Sequence, residues 1–270
     1  MKLFFSDMDG TLLDKNKTIS EYTRTTIERF TADGNKFVLT SGRPLGNMIK
    51  MQHELGFDFP NQYIIAYNGA VVYDCDAGKA IYERTLPLDY VKELFHIAES
   101  FGVYHHTYQD DTILSPRMCD ELIRYRKPIP MNYEIIEDVF SKLYREPYKV
   151  MMISFTDHAL LERLHDAILA TDMGSKITVA FSNPFYLESF SPEAGKGNGI
   201  RFLAEYLNVP MSQTYAAGDE ANDISMIEAA GCGIAMNNAN PEVKSHADLI
   251  TRFDNNANGV ADTIFYQIMN

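Results

Sequence analysis

The chain has little of what would place it in several large classes. Only three cysteines occur in 270 residues, Cys75, Cys119 and Cys232, odd in number, scattered and without a Cys-x-x-Cys pair. That argues against a disulfide framework and reads as free buried thiols in a reducing compartment. No apolar run approaches the ~18 residues needed to span a bilayer. Asp7 interrupts an N-terminal signal peptide before its apolar segment can form. The expectation is a soluble, cytoplasmic protein without a membrane partner. Positive charge is also scarce: 24 Lys and Arg stand against 37 Asp and Glu, a net charge of −13. Phosphate backbones call for basic patches, so nucleic acid is not an expected partner. A small phosphorylated molecule is not excluded, because a local cluster of Lys, Arg and metal can override the global field. Repeats, low-complexity tracts and long linkers are absent too. Subunit number is not legible beyond a monomer or a small homo-oligomer.

What is present is a core-forming composition, 46% apolar, at a length that suits one large domain or two medium ones. The most informative string is Phe4-Phe5-Ser6-Asp7-Met8-Asp9-Gly10-Thr11-Leu12. Lys2 to Ser6 reads as a buried strand that ends in two carboxylates and a glycine. Residues i and i+2 at a strand end point the same way, so Asp7 and Asp9 are expected to converge. Two like charges held close raise each other's pKa unless a cation neutralises them, and Mg²⁺, which prefers oxygen ligands, suits that task. One carboxylate could then be a nucleophile and the other an acid/base. The same string taken alone is also compatible with a turn carrying solvated acids.

Beyond this strand the pattern alternates. Thr18-x-x-Glu21 resembles a capping box that opens a helix to about Asp33, stopped by Gly34. Strands are expected at 36–40 and 63–67 with a helix at 44–55 between them, and a hairpin at 71–82. Strands alternating with helices imply a parallel sheet whose binding crevice lies at the carboxyl ends of its strands. From about 85 to 190 the rhythm changes to α+β: a helix at 87–101, strands at 103–108 and 112–114, a polar stretch punctuated by Pro116, Pro128 and Pro130, a strand at 148–155, a helix at 157–170, and strands at 177–181 and 185–190. The α/β rhythm resumes at Gly197. The expected organisation is therefore a Rossmann-like three-layer α/β core, residues 1–84 and 191–270, with an α+β module at 85–190 inserted into it.

Each core strand ends in residues able to do chemistry. Asp7 and Asp9 follow the first, Thr40-Ser41-Gly42-Arg43 the second, Asn68-Gly69 the third, and Gly218-Asp219-Glu220-Ala221-Asn222-Asp223 the fourth, with Lys196 opening a helix. Any one of these is ordinary: a hydroxyl beside a glycine usually caps a helix, and a lone lysine is usually solvated. Their joint arrival at one sheet edge is specific. Other strings carry less. Asp254 to Gly259 matches the start of a calcium loop, but Phe265 stands where the bidentate Glu is required, so it reads as a polar turn. The stretch around Lys196 lacks Walker A spacing. His105 and His106 are adjacent on a strand and face opposite sides. Tyr104, Tyr108, Tyr125 and Tyr133 suit packing better than a sugar pocket, and Glu188 suits a strand or hinge role as well as a substrate contact.

Asp-x-Asp-Gly-Thr, Thr-Ser-Gly-Arg, Asn-Gly-Ala, the single Lys and Gly-Asp-x-x-Asn-Asp together resemble the motifs of the haloacid dehalogenase superfamily. The chain is most similar to its Cof-type phosphatases, which carry a C2 cap between the second and third motifs and include bacterial sugar phosphatases. Ser41 stands where the family often has Thr, and the hydroxyl is retained. The resemblance implies a Mg²⁺-dependent phosphomonoester hydrolase acting through an aspartyl-phosphate, with a small phosphorylated metabolite, a sugar phosphate foremost, as substrate. It makes Asp7 the nucleophile and Asp9 the acid/base. It places the metal among the Asp7 carboxylate, the Asp9 carbonyl and Asp219, with Asp223 and Asn68 supporting from behind. It assigns the phosphoryl oxygens to the Met8 amide, Ser41, Gly42, Lys196 and Asn222. A phosphomutase of the same superfamily, or a phosphatase of phosphorylated cofactors such as pyridoxal phosphate or flavin mononucleotide, shares most of these features. Outside enzymes, a Mg²⁺ or phosphate-ligand sensor remains, although such a protein has no need of both Asp7 and Asp9.

Overall fold

The computed structural model describes residues 1–128 and 131–269, and Pro130 lies outside them. In chain order the elements are β1 (Leu3–Ser6), α1 (Glu21–Ala32), β2 (Lys36–Thr40), α2 (Leu45–Glu54), β3 (Tyr63–Ala66), β4 (Val71–Asp74) and β5 (Lys79–Glu83). Then come α3 (Leu88–Ser100), β6 (Tyr104–Gln109), β7 (Thr112–Ser115), α4 (Asp120–Arg126), β8 (Asn132–Ile135), β9 (Lys149–Ile153), α5 (His158–Leu169), β10 (Thr178–Asn183) and β11 (Tyr186–Phe190). The chain closes with α6 (Lys196–Tyr206), β12 (Thr214–Gly218), α7 (Ile224–Ala229), β13 (Cys232–Ala235), α8 (Pro241–Ser245), β14 (Leu249–Ile250) and α9 (Gly259–Thr263). Two compact units result: Met1–Arg43 with Met48–Glu83 and Gly195–Asn270, and Pro44–Asn47 with Arg84–Ala194. The second unit thus starts at Arg84 and runs past Phe190, because the crossing segments are tied within it. Arg84 pairs with Glu193, and Thr85 donates to Glu146.

The first unit is built on an eight-stranded sheet in the order β14-β13-β12-β1-β2-β3-β4-β5. β14 through β3 run parallel, and β4 and β5 are antiparallel to their neighbours. The chain leaves β1 toward β2 on one side and returns to β12 on the other. The topological switch point, where ligands bind in such sheets, is therefore at the carboxyl end of β1. β1 is apolar from Leu3 to Phe5 and buried along its whole length, because both its faces are covered. Leu3 and Phe5 join Val38, Ile65, Ile200 and Leu203 in one cluster. On the other face Phe4 stacks on Phe37 at 5.5 Å between ring centroids and meets Phe30 of α1 edge-on at 6.5 Å. Burial of each such ring stabilises the unit by about 1.5–3 kcal/mol.

The cap of α1 lies two residues later than the expected Thr18. Ser20 is the cap, its side chain accepting from the Thr23 amide. Thr18 is held in the preceding turn, where its amide donates to Asp14 Oδ1 at 2.9 Å, and so is not available to cap. The expected stop holds, with Asp33 as the C-cap and Gly34 at φ +83°. The three cysteines are free thiols and half-buried rather than fully buried.

The second unit carries a six-stranded sheet, β10-β11-β9-β6-β7-β8, antiparallel except between β7 and β8. α3 and α5 cover one face through Val91, Leu94, Phe95, Leu161 and Leu164, packed on Met152 and Leu187. His105 lies on that face, its ring 4.5 Å from Phe95, whereas His106 lies on the other, 4.9 Å from the Tyr125 ring. α4 and β8 occupy the stretch read as irregular. A seven-residue helix is too short to display a periodicity, and the alternation of β8 spans only four mostly exposed residues. Glu188 is buried and ion-paired to Lys149 at 2.7 Å. Asp254 caps the short turn before α9 by accepting from the Ala257 amide, as a polar turn should. Among the described residues no helix is long and apolar enough to cross a membrane.

Candidate active site

β1 ends at Ser6, and the Asp7 amide donates to the Ala217 carbonyl of β12 at 3.0 Å, which fixes the first acid at the switch point. The chain then turns. Leu12 and Leu13 donate to the carbonyls of Asp7 and Met8 at 3.3 and 2.9 Å, with Gly10 at φ +84°. A Cβ on Gly10 would stand 2.2 Å from Asp219 Oδ2, so only glycine lets this turn pass the acid delivered by β12. Thr11 Oγ1 donates to Asp219 Oδ1 at 2.6 Å, which ties the two loops together.

Lys196, fully buried at the start of α6, is bonded to Asp7 Oδ1 at 2.6 Å and to Asp223 Oδ1 at 2.5 Å. The other oxygen of Asp223 accepts the amides of Asp219 and Glu220 at 2.9 and 3.0 Å. Asp223 thereby holds both the lysine and the loop that presents Asp219. Beyond β2 and β3, the amide of Asn68 donates to the Ser41 carbonyl at 3.1 Å. Asn68 is itself in the left-handed region, φ 55° and ψ 35°. Its side chain lies over Gly42, where a Cβ would come within 2.6 Å of Asn68 Oδ1, and it accepts from Asn222 Nδ2 at 3.4 Å. Ser41, Gly42, Asn68 and Asn222 are thus brought together by backbone and side-chain contacts from three different loops. Met8 is buried, its side chain part of the core.

Asp9 departs from expectation. The two-residue alternation that would aim it with Asp7 holds only inside a strand, and the strand has already ended. Arg43 Nε and Nη2 grip the Asp9 carboxylate at 2.9 Å each, and Lys17 Nζ donates to its Oδ1 at 2.6 Å. Burial pushes the Asp9 carboxyl up, but Arg43 and Lys17 outweigh it and hold the group below its ordinary value, not above it. Sequence reasoning assigned no role to Arg43, Lys17 or Thr11. Arg43 and Thr11 lay inside the motifs, but nothing local told which acid each would meet. Lys17 carried no signal at all.

The remaining acids want a cation. Carboxylate oxygens of Asp7, Asp219 and Asp223 all lie within 4.8 Å of one another. Burial, then Asp223, pushes the Asp7 carboxyl well above its ordinary value despite Lys196. Burial, with Asp223 and Glu220 outweighing the Thr11 hydrogen bond, takes Asp219 up to about 7. Lys196 stays protonated: burial opposes its charge, but Asp223 and Asp7 more than restore it. One ammonium among three carboxylates leaves negative charge uncompensated in an all-oxygen donor set, which fits a hard divalent cation.

The same organisation recurs in known proteins. Residues 4–264 match the family described as haloacid dehalogenase-like hydrolase. YxeH of Bacillus subtilis is 34% identical over 97% of each chain. The 5-amino-6-(5-phospho-D-ribitylamino)uracil phosphatase YitU of the same organism is 31% identical, covering 94% of this chain and 93% of its own. The crystal structure of a haloacid dehalogenase-like hydrolase from Bacteroides thetaiotaomicron superposes with a TM-score of 0.89, at 29% identity and 98% coverage of both chains. With its acids, lysine and hydroxyl gathered at the switch point of the sheet, this chain belongs to the haloacid dehalogenase-like hydrolase family and is a phosphatase.

Proposed function

We propose that this phosphatase hydrolyses small phosphomonoesters through a phosphoryl-aspartate on Asp7, with Mg²⁺ held by Asp7, Asp219 and the Asp9 carbonyl. The observation that carries the reading is the Asp7 carboxylate, fixed at the end of β1 and bonded to Lys196 at 2.6 Å. An Asp7 oxygen forms a bond to phosphorus as the bond to the leaving oxygen breaks. Asp9, a carboxylate while Arg43 and Lys17 hold it, must take up a proton when substrate binds, gives it to that oxygen, and then takes one from the water whose oxygen displaces Asp7 from phosphorus. Both acids return to their starting state once that proton leaves. Ser41, Gly42, the Met8 amide, Lys196 and Asn222 hold the phosphoryl oxygens, Asp223 orients Lys196 and the Asp219 loop, and Asn68 orients Asn222. The bound Mg²⁺ supplies charge neutralisation between the acids and the phosphate dianion, without which they repel one another.

Sugar phosphates are the favoured substrates within this reading. A second reading, phosphorylated cofactors and their precursors, is favoured by the 31% identity to YitU, whose named substrate is a phosphoribityl pyrimidine. The test is rapid-quench labelling with a radiolabelled phosphate ester and Mg²⁺. Wild type should trap acid-stable phosphate on Asp7, and Asp7→Asn should trap none and release none while remaining folded. Turnover by Asp7→Asn within about tenfold of wild type would sink the assignment, since an amide has no comparable nucleophilicity. A screen of phosphate release across sugar phosphates and phosphorylated cofactors separates the two substrate readings.

A further inference from the structure

Asp9 is the one acid of the site whose carboxylate is gripped by two cations that no part of the phosphoryl chemistry uses. Arg43 reaches both of its oxygens, Nε at 2.9 Å from Oδ2 and Nη2 at 2.9 Å from Oδ1 and 2.8 Å from Oδ2. Its side chain is 10% exposed against 55% for Lys17, which donates to Oδ1 at 2.6 Å. The two cations differ in how firmly they are mounted. Arg43 sits where its carbonyl accepts the Tyr67 amide at 3.0 Å and its own amide donates to Ser41 Oγ at 3.2 Å. Its backbone is therefore fixed by the same loops that form the Ser41 end of the site. A planar fork on a planar carboxylate fixes both the position and the plane of the acid, which a single ammonium cannot do. Lys17 has a backbone pinned by a tight turn, its amide donating to the Asp14 carbonyl at 3.0 Å with φ at 62°. Its side chain, however, is a solvated four-carbon arm that can let go.

We propose that Arg43 and Lys17 are positioning residues for Asp9. Arg43 fixes the carboxylate in place, and Lys17 covers the Oδ1 oxygen until the leaving-group oxygen takes its place. Neither cation touches the phosphoryl group in this assignment; both act through the acid/base. The inference rests on the proposed acid/base role of Asp9. It goes beyond that role by naming what aims the acid and which partner must yield.

The consequence is a dependence on the leaving group. Proton donation matters for an ester with a basic leaving oxygen and hardly at all for an activated one. General acid–base assistance is worth about a hundredfold or more. The measurement is kcat/KM, which ends at release of the leaving group and so excludes the later use of Asp9 as base, on phenyl phosphate and dinitrophenyl phosphate, with Mg²⁺, for wild type, Asp9→Asn, Arg43→Met, Lys17→Met and each cation variant combined with Asp9→Asn. Arg43→Met should lower kcat/KM on phenyl phosphate by about tenfold or more, leave kcat/KM on dinitrophenyl phosphate within about threefold, and cost nothing further when added to Asp9→Asn. Lys17→Met should shift the phenyl-to-dinitrophenyl ratio, again only while Asp9 is present. Arg43→Lys should fail to restore the ratio, because it lacks the fork.

Equal losses from a cation variant in wild type and in the Asp9→Asn variant, or an equal fall in kcat/KM on both esters, would overturn the proposal and give Arg43 a direct hold on the phosphate or a purely structural role. Should Arg43→Met fail to fold, the exposed Lys17→Met decides by the same cycle, and an unchanged ratio there overturns the inference. An active wild type whose Asp9→Asn variant does not discriminate between the esters removes the acid/base role and the proposal with it. A folded wild type that releases phosphate from neither ester counts instead against the phosphomonoesterase reading, and takes the inference down as well.

Discussion

At the scale of single residues the site is an electrostatic problem solved by two separate groupings. Asp9 is neutralised by Arg43 and Lys17, while among the described residues Asp7 and Asp223 pair with the single cation Lys196 and Asp219 accepts from Thr11. The second grouping is therefore the one that awaits a cation. Asp219, carried up to about 7 from its usual 3.8, binds its proton more tightly folded than unfolded. Between those two values the folded state holds the extra proton, so stability must fall as pH rises through the window. In chelator, the Tm of the wild type should decline from about pH 4 to pH 7, and Mg²⁺ should recover most of the loss above pH 6. Asp219→Asn, whose side-chain oxygen can still accept from Thr11, should make the decline shallower, leaving the part due to the raised Asp7, and abolish the Mg²⁺ response. A wild-type Tm that is flat in chelator, or an Asp219→Asn variant that Mg²⁺ still stabilises, contradicts this account.

At the scale of elements, the loops after β1, β2, β3 and β12 hold one another rather than standing alone. The close approach of Gly10 to Asp219, of Gly42 to Asn68, and of Gly69 to the Gly195 carbonyl (2.1 Å from a Cβ built at Gly69) makes the site a set of interlocked turns. In the second unit the corresponding lock is ionic. Lys149 of β9 and Glu188 of β11 stand diagonally across the β9–β11 ladder, both buried, with the Lys149 ammonium also 5.6 Å from the centroid of the Tyr108 ring. Removing one member leaves a buried charge facing a former partner. Lys149→Met should therefore cost about 3–5 kcal/mol, whereas the paired replacement Lys149→Met with Glu188→Leu should come close to neutral. Urea denaturation midpoints of the two single variants and the double variant test this. Singles that cost less than about 1 kcal/mol, outside the range for a broken buried pair, would show that water reaches the pair.

At the scale of the molecule, every residue assigned to phosphoryl chemistry, from Asp7 to Asn68 and from Lys196 to Asp223, falls in the first unit. Residues 84–194 make up most of the second. Holding a phosphoryl group requires only the first set, whereas choosing among leaving groups requires further contacts. Replacing residues 84–194 with a short linker should weaken discrimination among phosphate esters by orders of magnitude. Hydrolysis of acetyl phosphate should largely persist, because that leaving group needs neither a pocket nor much protonation. The measurement is the ratio of kcat/KM for the best metabolite over acetyl phosphate in a truncated protein shown to be folded. An unchanged ratio would mean the inserted unit does not select the substrate. Loss of both activities would mean it supplies a catalytic group.

Much of this was legible in one dimension because it is written in short-range chemistry. The alternation of strands and helices, the apolar β1, the glycine stop of α1 and the acids at strand ends are local patterns, and the parallel sheet with an inserted α+β unit follows from them. The sequence by itself also determined which residue types would meet, since the carboxyl ends of parallel strands form one edge. α4 and β8 escaped because, at seven and four residues, both are too short for a period to stand out. The pairing of charges was decided only in three dimensions. Asp7 and Asp9 are two residues apart, yet the turn after β1 sends one to Lys196 and the other to Arg43 and Lys17. A carboxylate's partner and pKa depend on which cations lie within a few ångströms and how dry the space is, and those distances exist only once the loops have closed on one another.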